Sequence, residues 1–156
     1  MIGDDRRVVT LRDVRPSDIE RFYDYQADPV SNEMAGVSAR DRAAHEAHWA
    51  EVRQDPANVQ RTIVDDDVVV GNIASFVMDG HRQIGYRIGR EHWGRGIASQ
   101  AVQLFVADVE LRRPLFGHVL ETNLGSLRVL HKAAFVEVSR QLLEGDPAPE
   151  IVLQLG

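Results

Sequence analysis

The residues of this chain best equipped for chemistry lie in two short segments. The first is Gly94-Arg95-Gly96, two glycines around an arginine, directly ahead of the apolar series Ala98, Ala101, Val102, Phe105 and Val109. Upstream, Ile84, Tyr86 and Ile88 alternate with other residues. A period of two gives way to one of 3.6, which predicts a strand, a tight turn and a helix. A helix start leaves backbone N–H groups without intrahelical partners and carries about half a positive charge, so it suits a phosphate or pyrophosphate. Glycines let such an anion approach the backbone, and Arg95, with Arg90, supplies cationic donors. Two alternatives stay open. Glycine-rich turns also occur in α/β proteins with no ligand there, and a dinucleotide-binding turn would carry a third Gly or Ala where this chain has Ser99.

The second segment runs from Asn123 to Phe135, NLGSLRVLHKAAF. Taken locally, Asn123 or Ser126 can serve as a helix cap. Elsewhere, His45 and His48 share one face of a predicted helix, as metal ligands might. No acidic or cysteine partner is arranged with them, so they read as packing or solvated residues and no metal site is expected. Asp65-Asp66-Asp67 reads as a solvated hairpin tip.

The elements that must hold these segments follow from periodicity and caps. Val8 to Val14 is a first strand, and Ser17 and Glu20 stand at capping-box spacing for a helix that stops near Asp28-Pro29. Residues 30–37 read as a loop or short turn, and a second helix starts near Ser38, with Asp41 at cap spacing, and runs through Trp49 to Val52. Asn58 to Val64, Val68 to Met78 and Gln83 to Ile88 form a meander joined at Asp65-Asp66-Asp67 and Asp79-Gly80. After the central helix come a strand at Leu115 to Leu120 and a helix at Leu124 to Ala134. Phe135 to Leu143 and Glu150 to Leu155 make a final hairpin. The expected fold is α/β with a mixed, mostly antiparallel sheet of about six to seven strands. Helices cover both faces, and a right-handed parallel crossover joins Gln83 to Leu120. The helix start of that crossover opens at the carboxyl edge of the sheet, where such folds bind ligands.

Composition sets the limits. A chain of 156 residues suits one domain, residues 1–156, with a full core. The charged start, MIGDDRRVVTLRDV, leads into too short an apolar run for a signal peptide, and no stretch approaches the roughly 20 residues that span a bilayer. A cytoplasmic protein is expected, without membrane association. Absence of cysteine removes disulfides, thiolate metal sites and a cysteine nucleophile. A net charge of −6 argues against a general nucleic-acid binder and favours a cationic partner such as an amine. All basic residues but Lys132 are arginines, which is compatible with a GC-rich bacterial source.

Taken together, the two segments resemble the GNAT superfamily of acyl-CoA-dependent N-acyltransferases, and within it the RimJ/RimL-like branch. The family's (Q/R)-x-x-G-x-(G/A) turn corresponds to Trp93-Gly94-Arg95-Gly96-Ile97-Ala98. Its N-x-x-S helix start and K-x-G-F ending correspond to Asn123 through Ser126 and Lys132-Ala133-Ala134-Phe135. The resemblance implies a fourth strand splayed from the fifth, whose free backbone at Tyr86, Arg87 and Ile88 holds the pantetheine arm of acetyl-CoA as an added strand would. It places the pyrophosphate on the turn from Trp93 through Gly94, Arg95, Gly96 and Ile97 to Ala98, with Asn123 holding the arm from the far side. Three positions depart from the family pattern. Trp93 replaces Gln or Arg, a mild loss where the backbone does the binding. Ala134 replaces glycine, which costs little if the helix end need not turn left-handed. Leu130 replaces the tyrosine that protonates the departing thiolate in many members, leaving Ser126 as the substitute.

The activity implied is direct acetyl transfer from acetyl-CoA to a primary amine, either a protein N-terminus or a small molecule. The amine must be neutral to attack, and an α-amine with pKa near 8 meets that condition more readily than a lysine near 10.4. His118 stands five residues before Asn123, where some relatives carry a glutamate base, and histidine suits that role near neutral pH. The bland reading of His118 is a partly buried strand residue; Glu121 and Glu33 are further candidates for base and substrate contact. The absent tyrosine also keeps open an acyl-CoA-binding sensor or scaffold without turnover. A homodimer is compatible with the resemblance.

Overall fold

The computed structural model describes residues 8–156. The charged start at residues 1–7, used above to argue against a signal peptide, lies outside them. Strand β1 (Val9–Arg12) leads to helices α1 (Pro16–Gln26), α2 (Pro29–Ala35) and α3 (Arg42–Gln54). The meander follows as β2 (Val59–Asp65), β3 (Val68–Met78) and β4 (His81–Ile88). Then come α4 (Ile97–Leu104), extended by a π-helical turn over Phe105–Val109, then β5 (Leu115–Leu120), α5 (Leu124–Lys132), β6 (Val136–Gln141) and β7 (Glu150–Leu155). The strands form one seven-stranded sheet in the order β1-β2-β3-β4-β5-β7-β6. Among the described strands only β4 and β5 run parallel, joined through α4. No helix among the described residues is long and apolar enough to cross a membrane.

Strand alternation divides the side chains between two layers. Ile63, Ile73, Ile84, Leu115 and Leu153 are almost fully buried in one cluster with Ile97, Ala101, Val102 and Phe105 of α4 and its extension, and Leu130 of α5. On the other side, Phe22 of α1 lies 5.0 Å from Trp49 of α3, ring centre to ring centre. The Tyr25 hydroxyl of α1 donates to the Val69 carbonyl at 2.7 Å, which ties that helix layer to β3. Helices therefore cover both faces, as periodicity implied.

Several boundaries differ from expectation for local reasons. Residues 30–37, expected as a loop, are mostly α2. The Asp28 side chain accepts from the Val30 N–H at 3.0 Å, and Pro29 occupies the first helical position, where its missing N–H costs nothing. The pair Asp28-Pro29 thus ends one helix and starts the next, and Gly36, at φ 72°, ends α2 in a left-handed turn. Ser17 and Glu20 do not cap α1: Asp18 accepts from the Arg15 N–H at 2.8 Å, and Glu20 instead pairs with Arg42. α3 begins at Arg42 rather than near Ser38, because Asp41 is the cap and accepts from the Ala44 N–H at 2.8 Å. α5 ends at Lys132, and Ala134 adopts φ 73°. The helix end does turn left-handed there, so alanine in place of glycine costs about 1 kcal/mol rather than nothing.

Two buried carboxylates brace the sheet away from the cleft described below. Asp18 is 3% exposed and accepts from Arg12, the Arg15 N–H and the Thr62 hydroxyl. Glu110 is 1% exposed and is held by Arg112 and Ser75, with Arg82 nearby. Burial pushes both acids up, but the hydrogen bonds and charges of these partners outweigh it and bring each down to about 2. A carboxyl group whose folded pKa lies below its unfolded value near 4 stabilises in full above that pH and loses its contribution as pH falls toward 2. By that linkage each contributes about 2–3 kcal/mol. Denaturant midpoints are therefore expected to be flat above about pH 5 and to fall between about pH 4 and 2, with Glu110→Gln shrinking that fall. An acid limb of equal depth in the variant would overturn this assignment.

Candidate active site

The parallel pair β4 and β5 is in register at a single position, Gln83 with Phe116. Beyond it the strands part, while β4 stays paired with β3 through Ile88. One edge of β4 from Ile84 to Ile88 therefore faces a gap instead of a strand. That gap is the floor of a cleft of about 570 Å³, bounded by α2, the end of β4, the start of α4 and α5. Its lining includes Tyr86, Arg87, Ile88, Trp93, Gly94, Gly96, Ile97, Ala98, Asn123 and Ser126, from segments far apart in sequence.

At one end lies the glycine turn. Gly94 and Gly96 have φ of 78° and 74°, and nothing stands within 4 Å of a Cβ added at either. Among the described residues, the N–H groups of Gly94, Arg95 and Gly96 have no backbone acceptor. Those of Ile97 and Ala98, in the first turn of α4, have none within the helix. This is a row of unsatisfied donors at the positive end of a helix, with open space before it. Arg128 and Lys132, on the cleft side of α5, add positive charge. The sequence reading missed them, although their four-residue spacing places both on one helical face. His92 Nδ1, buried with no hydrogen-bond partner among the described residues, also belongs to this lining. Arg95 itself does not line the cleft, and Arg90, raised as a second donor, pairs with Asp28 at 3.0 Å. Trp93 acts through more than its backbone, since its indole N–H donates to the Ile88 carbonyl at 2.9 Å and fixes the end of β4.

In the middle of the cleft β4 meets α5. The Asn123 side chain accepts from the Ser126 N–H at 3.2 Å, so Asn123 caps α5. Ser126 Oγ lies 2.6 Å from the Tyr86 hydroxyl, a contact sequence reasoning did not foresee. Burial pushes the Tyr86 phenol up to about 12, against a smaller opposing effect of the Ser126 hydrogen bond. It stays protonated at any physiological pH. Leu130, where a tyrosine was looked for, is 1% exposed and belongs to the core. It fills the space above Gly117, where an added Cβ would sit 2.7 Å from the leucine.

Arg87 points the opposite way from Tyr86, as neighbours on a strand do. Its guanidinium donates to Ser31 Oγ of α2 at 2.7 Å. His118 is not among the cleft-lining residues. The pairing of Gln83 with Phe116 puts His118 and Arg87 on the same face of the sheet, one strand apart. His118 Nδ1 lies 3.0 Å from Glu150 Oε1 of β7. Glu121 pairs with Arg140 at 2.7 Å, and Glu33 is exposed outside the cleft. His45 and His48 both pack against Trp49 in the helix layer, and His45 Nε2 lies 2.9 Å from the Ile19 carbonyl.

A family model described as an acetyltransferase (GNAT) domain matches residues 9–136. The uncharacterized N-acetyltransferase p20 of Bacillus licheniformis is 27% identical over 140 residues, which is 81% of this chain and 78% of that protein. The spermidine N-acetyltransferase of Vibrio cholerae, solved in complex with CoA and spermine, has the same fold at a TM-score of 0.81 and 14% identity, over 94% of each chain. The aminoglycoside acetyltransferase AAC(6')-Ib, solved with coenzyme A, gives 0.75 at 17% identity, over 95% of this chain and 94% of that one. At such identities the two solved structures speak for the fold alone. The family model spans most of the chain, including the splayed strands and the glycine turn, and on that ground the chain belongs to the GNAT family of N-acetyltransferases.

Proposed function

We propose that this protein transfers the acetyl group of acetyl-CoA directly to a primary amine, within the RimJ/RimL-like branch. The observation that carries the proposal is the row of free N–H donors from Gly94 to Ala98, continuous with the open edge of β4. The donors suit a diphosphate, Arg128 and Lys132 suit further phosphate charge, and the β4 edge at Tyr86, Arg87 and Ile88 suits an amide-bearing arm. Asn123 closes the arm's far side, although its capping bond to Ser126 occupies its carbonyl.

Ser126 and His118 divide the proton work. The amine nitrogen forms the new C–N bond, the C–S bond breaks, the nitrogen loses one proton and the departing sulfur gains one. Either hydroxyl can donate in the Tyr86–Ser126 contact, and where Tyr86 donates, the serine hydroxyl is free to donate into the cleft toward the sulfur. His118, oriented by Glu150 but outside the cleft lining, accepts the proton from the nitrogen through water. His118→Gln is expected to lower kcat about tenfold with acetyl-CoA affinity intact. An unaltered kcat would remove His118 from the reaction.

Calorimetry with acetyl-CoA followed by thiol release with a panel of amines tests the whole reading. Binding and amine-dependent release are expected. Binding without release by any amine would favour an acyl-CoA sensor, and absence of binding would overturn the proposal.

A further inference from the structure

The geometry points to an acceptor that carries a carboxylate beside its amine, gripped by Arg87, so that this enzyme acetylates amino acids rather than polyamines or aminoglycosides. The inference rests on the acetyltransferase reading above and narrows its acceptor. The two mouths of the cleft differ. Tyr86 faces α5, where the glycine turn, Arg128 and Lys132 gather, whereas Arg87 faces α2 across the sheet. Phosphate chemistry belongs to the first mouth, which leaves the second for the amine.

Net charge alone pointed to a cationic partner, but the cleft does not follow the net charge. None of the described residues lining it is acidic. Three acids of the neighbouring segments are engaged, Asp28 with Arg90, Glu121 with Arg140 and Glu150 with His118, and Glu33 of α2 is exposed outside the cleft. A polycation would meet a fixed like charge at Arg87 and no carboxylate within the cleft lining to balance its own.

Arg87 is a half-buried guanidinium with one side-chain hydrogen bond among the described residues, to Ser31 Oγ. A guanidinium has five N–H donors in a rigid fork, so most remain available. Burial, reinforced by the nearby Arg40, lowers its pKa against a smaller opposing pull from Asp28, and its fork has only the Ser31 hydrogen bond to offset that burial. A carboxylate accepting two parallel N–H bonds supplies the missing compensation and fixes the orientation of the adjacent amine. Met34 and Ala35 of α2 add apolar surface at the same mouth, suited to an uncharged side chain.

The test is the ratio of kcat/KM for each L-amino acid to that for its carboxamide, with spermidine and an aminoglycoside as further acceptors. The carboxamide keeps the amine and removes the anion, and a ratio cancels any general loss of activity. The best amino acid is expected to exceed its amide about thirtyfold, the size of a charge-assisted bidentate contact. Arg87→Gln is expected to bring the ratio to within about threefold of unity, and Ser31→Ala, which keeps the charge but frees the fork, to an intermediate value. Faster turnover of spermidine or the aminoglycoside than of every amino acid overturns the inference. So does a ratio unmoved by both substitutions, or acetyl-CoA binding with no amino acid acetylated. Failure of acetyl-CoA to bind at all would instead remove the acetyltransferase reading, and this inference with it.

Discussion

Gly96→Val is expected to weaken acetyl-CoA binding about a hundredfold while the protein still folds, the loss of one or two charge-assisted hydrogen bonds. The residue sits at φ 74° with open space where a Cβ would go. A branched side chain there strains the left-handed backbone by about 1–2 kcal/mol and stands in front of the donors of Ile97 and Ala98. Strain and obstruction are separable with a matched control. Gly80, at φ 78° in the turn between β3 and β4, is equally open but does not line the cleft. Gly80→Val should destabilise the fold by a similar amount and leave the dissociation constant for acetyl-CoA near that of wild type. Equal affinities in the two variants would mean that the turn does not bind the diphosphate.

Ser126→Ala is expected to lower kcat about a hundredfold, the upper range for one hydrogen bond to a developing thiolate. Tyr86→Phe should cost about tenfold, because it leaves the serine hydroxyl in place and removes only the group that aims it. Tyr86, its phenol pushed up to about 12 by burial, keeps its proton and acts here through its contact with Ser126 Oγ. The double variant should be no slower than Ser126→Ala alone, since both losses act through one hydroxyl. Independent, multiplicative effects would show that the tyrosine acts on the substrate by its own route. An undiminished kcat in Ser126→Ala at saturating acetyl-CoA would leave the serine as a capping and packing residue only.

The chemistry that was legible in the sequence is local chemistry. A glycine turn announces free amides because φ near +75° suits glycine, and Asn123 three residues before Ser126 announces a capped helix start. α2 was missed because Asp28-Pro29 carries two meanings, a helix stop and a helix start, and local rules weigh only the nearer one. Leu130 read as a missing acid until its contact with the floor of β5 at Gly117 gave it a packing role.

By itself the sequence determined the succession of strands and helices apart from α2, the glycine turn ahead of α4 and the capped start of α5, since each depends on residues a few positions apart. Only the tertiary structure decided that β7 lies between β5 and β6, that Tyr86 reaches Ser126, and that Arg87 faces Ser31 at an opening without carboxylates. The Tyr86–Ser126 contact joins residues 40 apart, and the Arg87–Ser31 contact residues 56 apart. Such contacts are set by strand register, and a slip of one residue would exchange the faces on which Tyr86 and Arg87 stand. The charge an acceptor meets is therefore a property of register and splay, which no count of acids and bases along the chain contains.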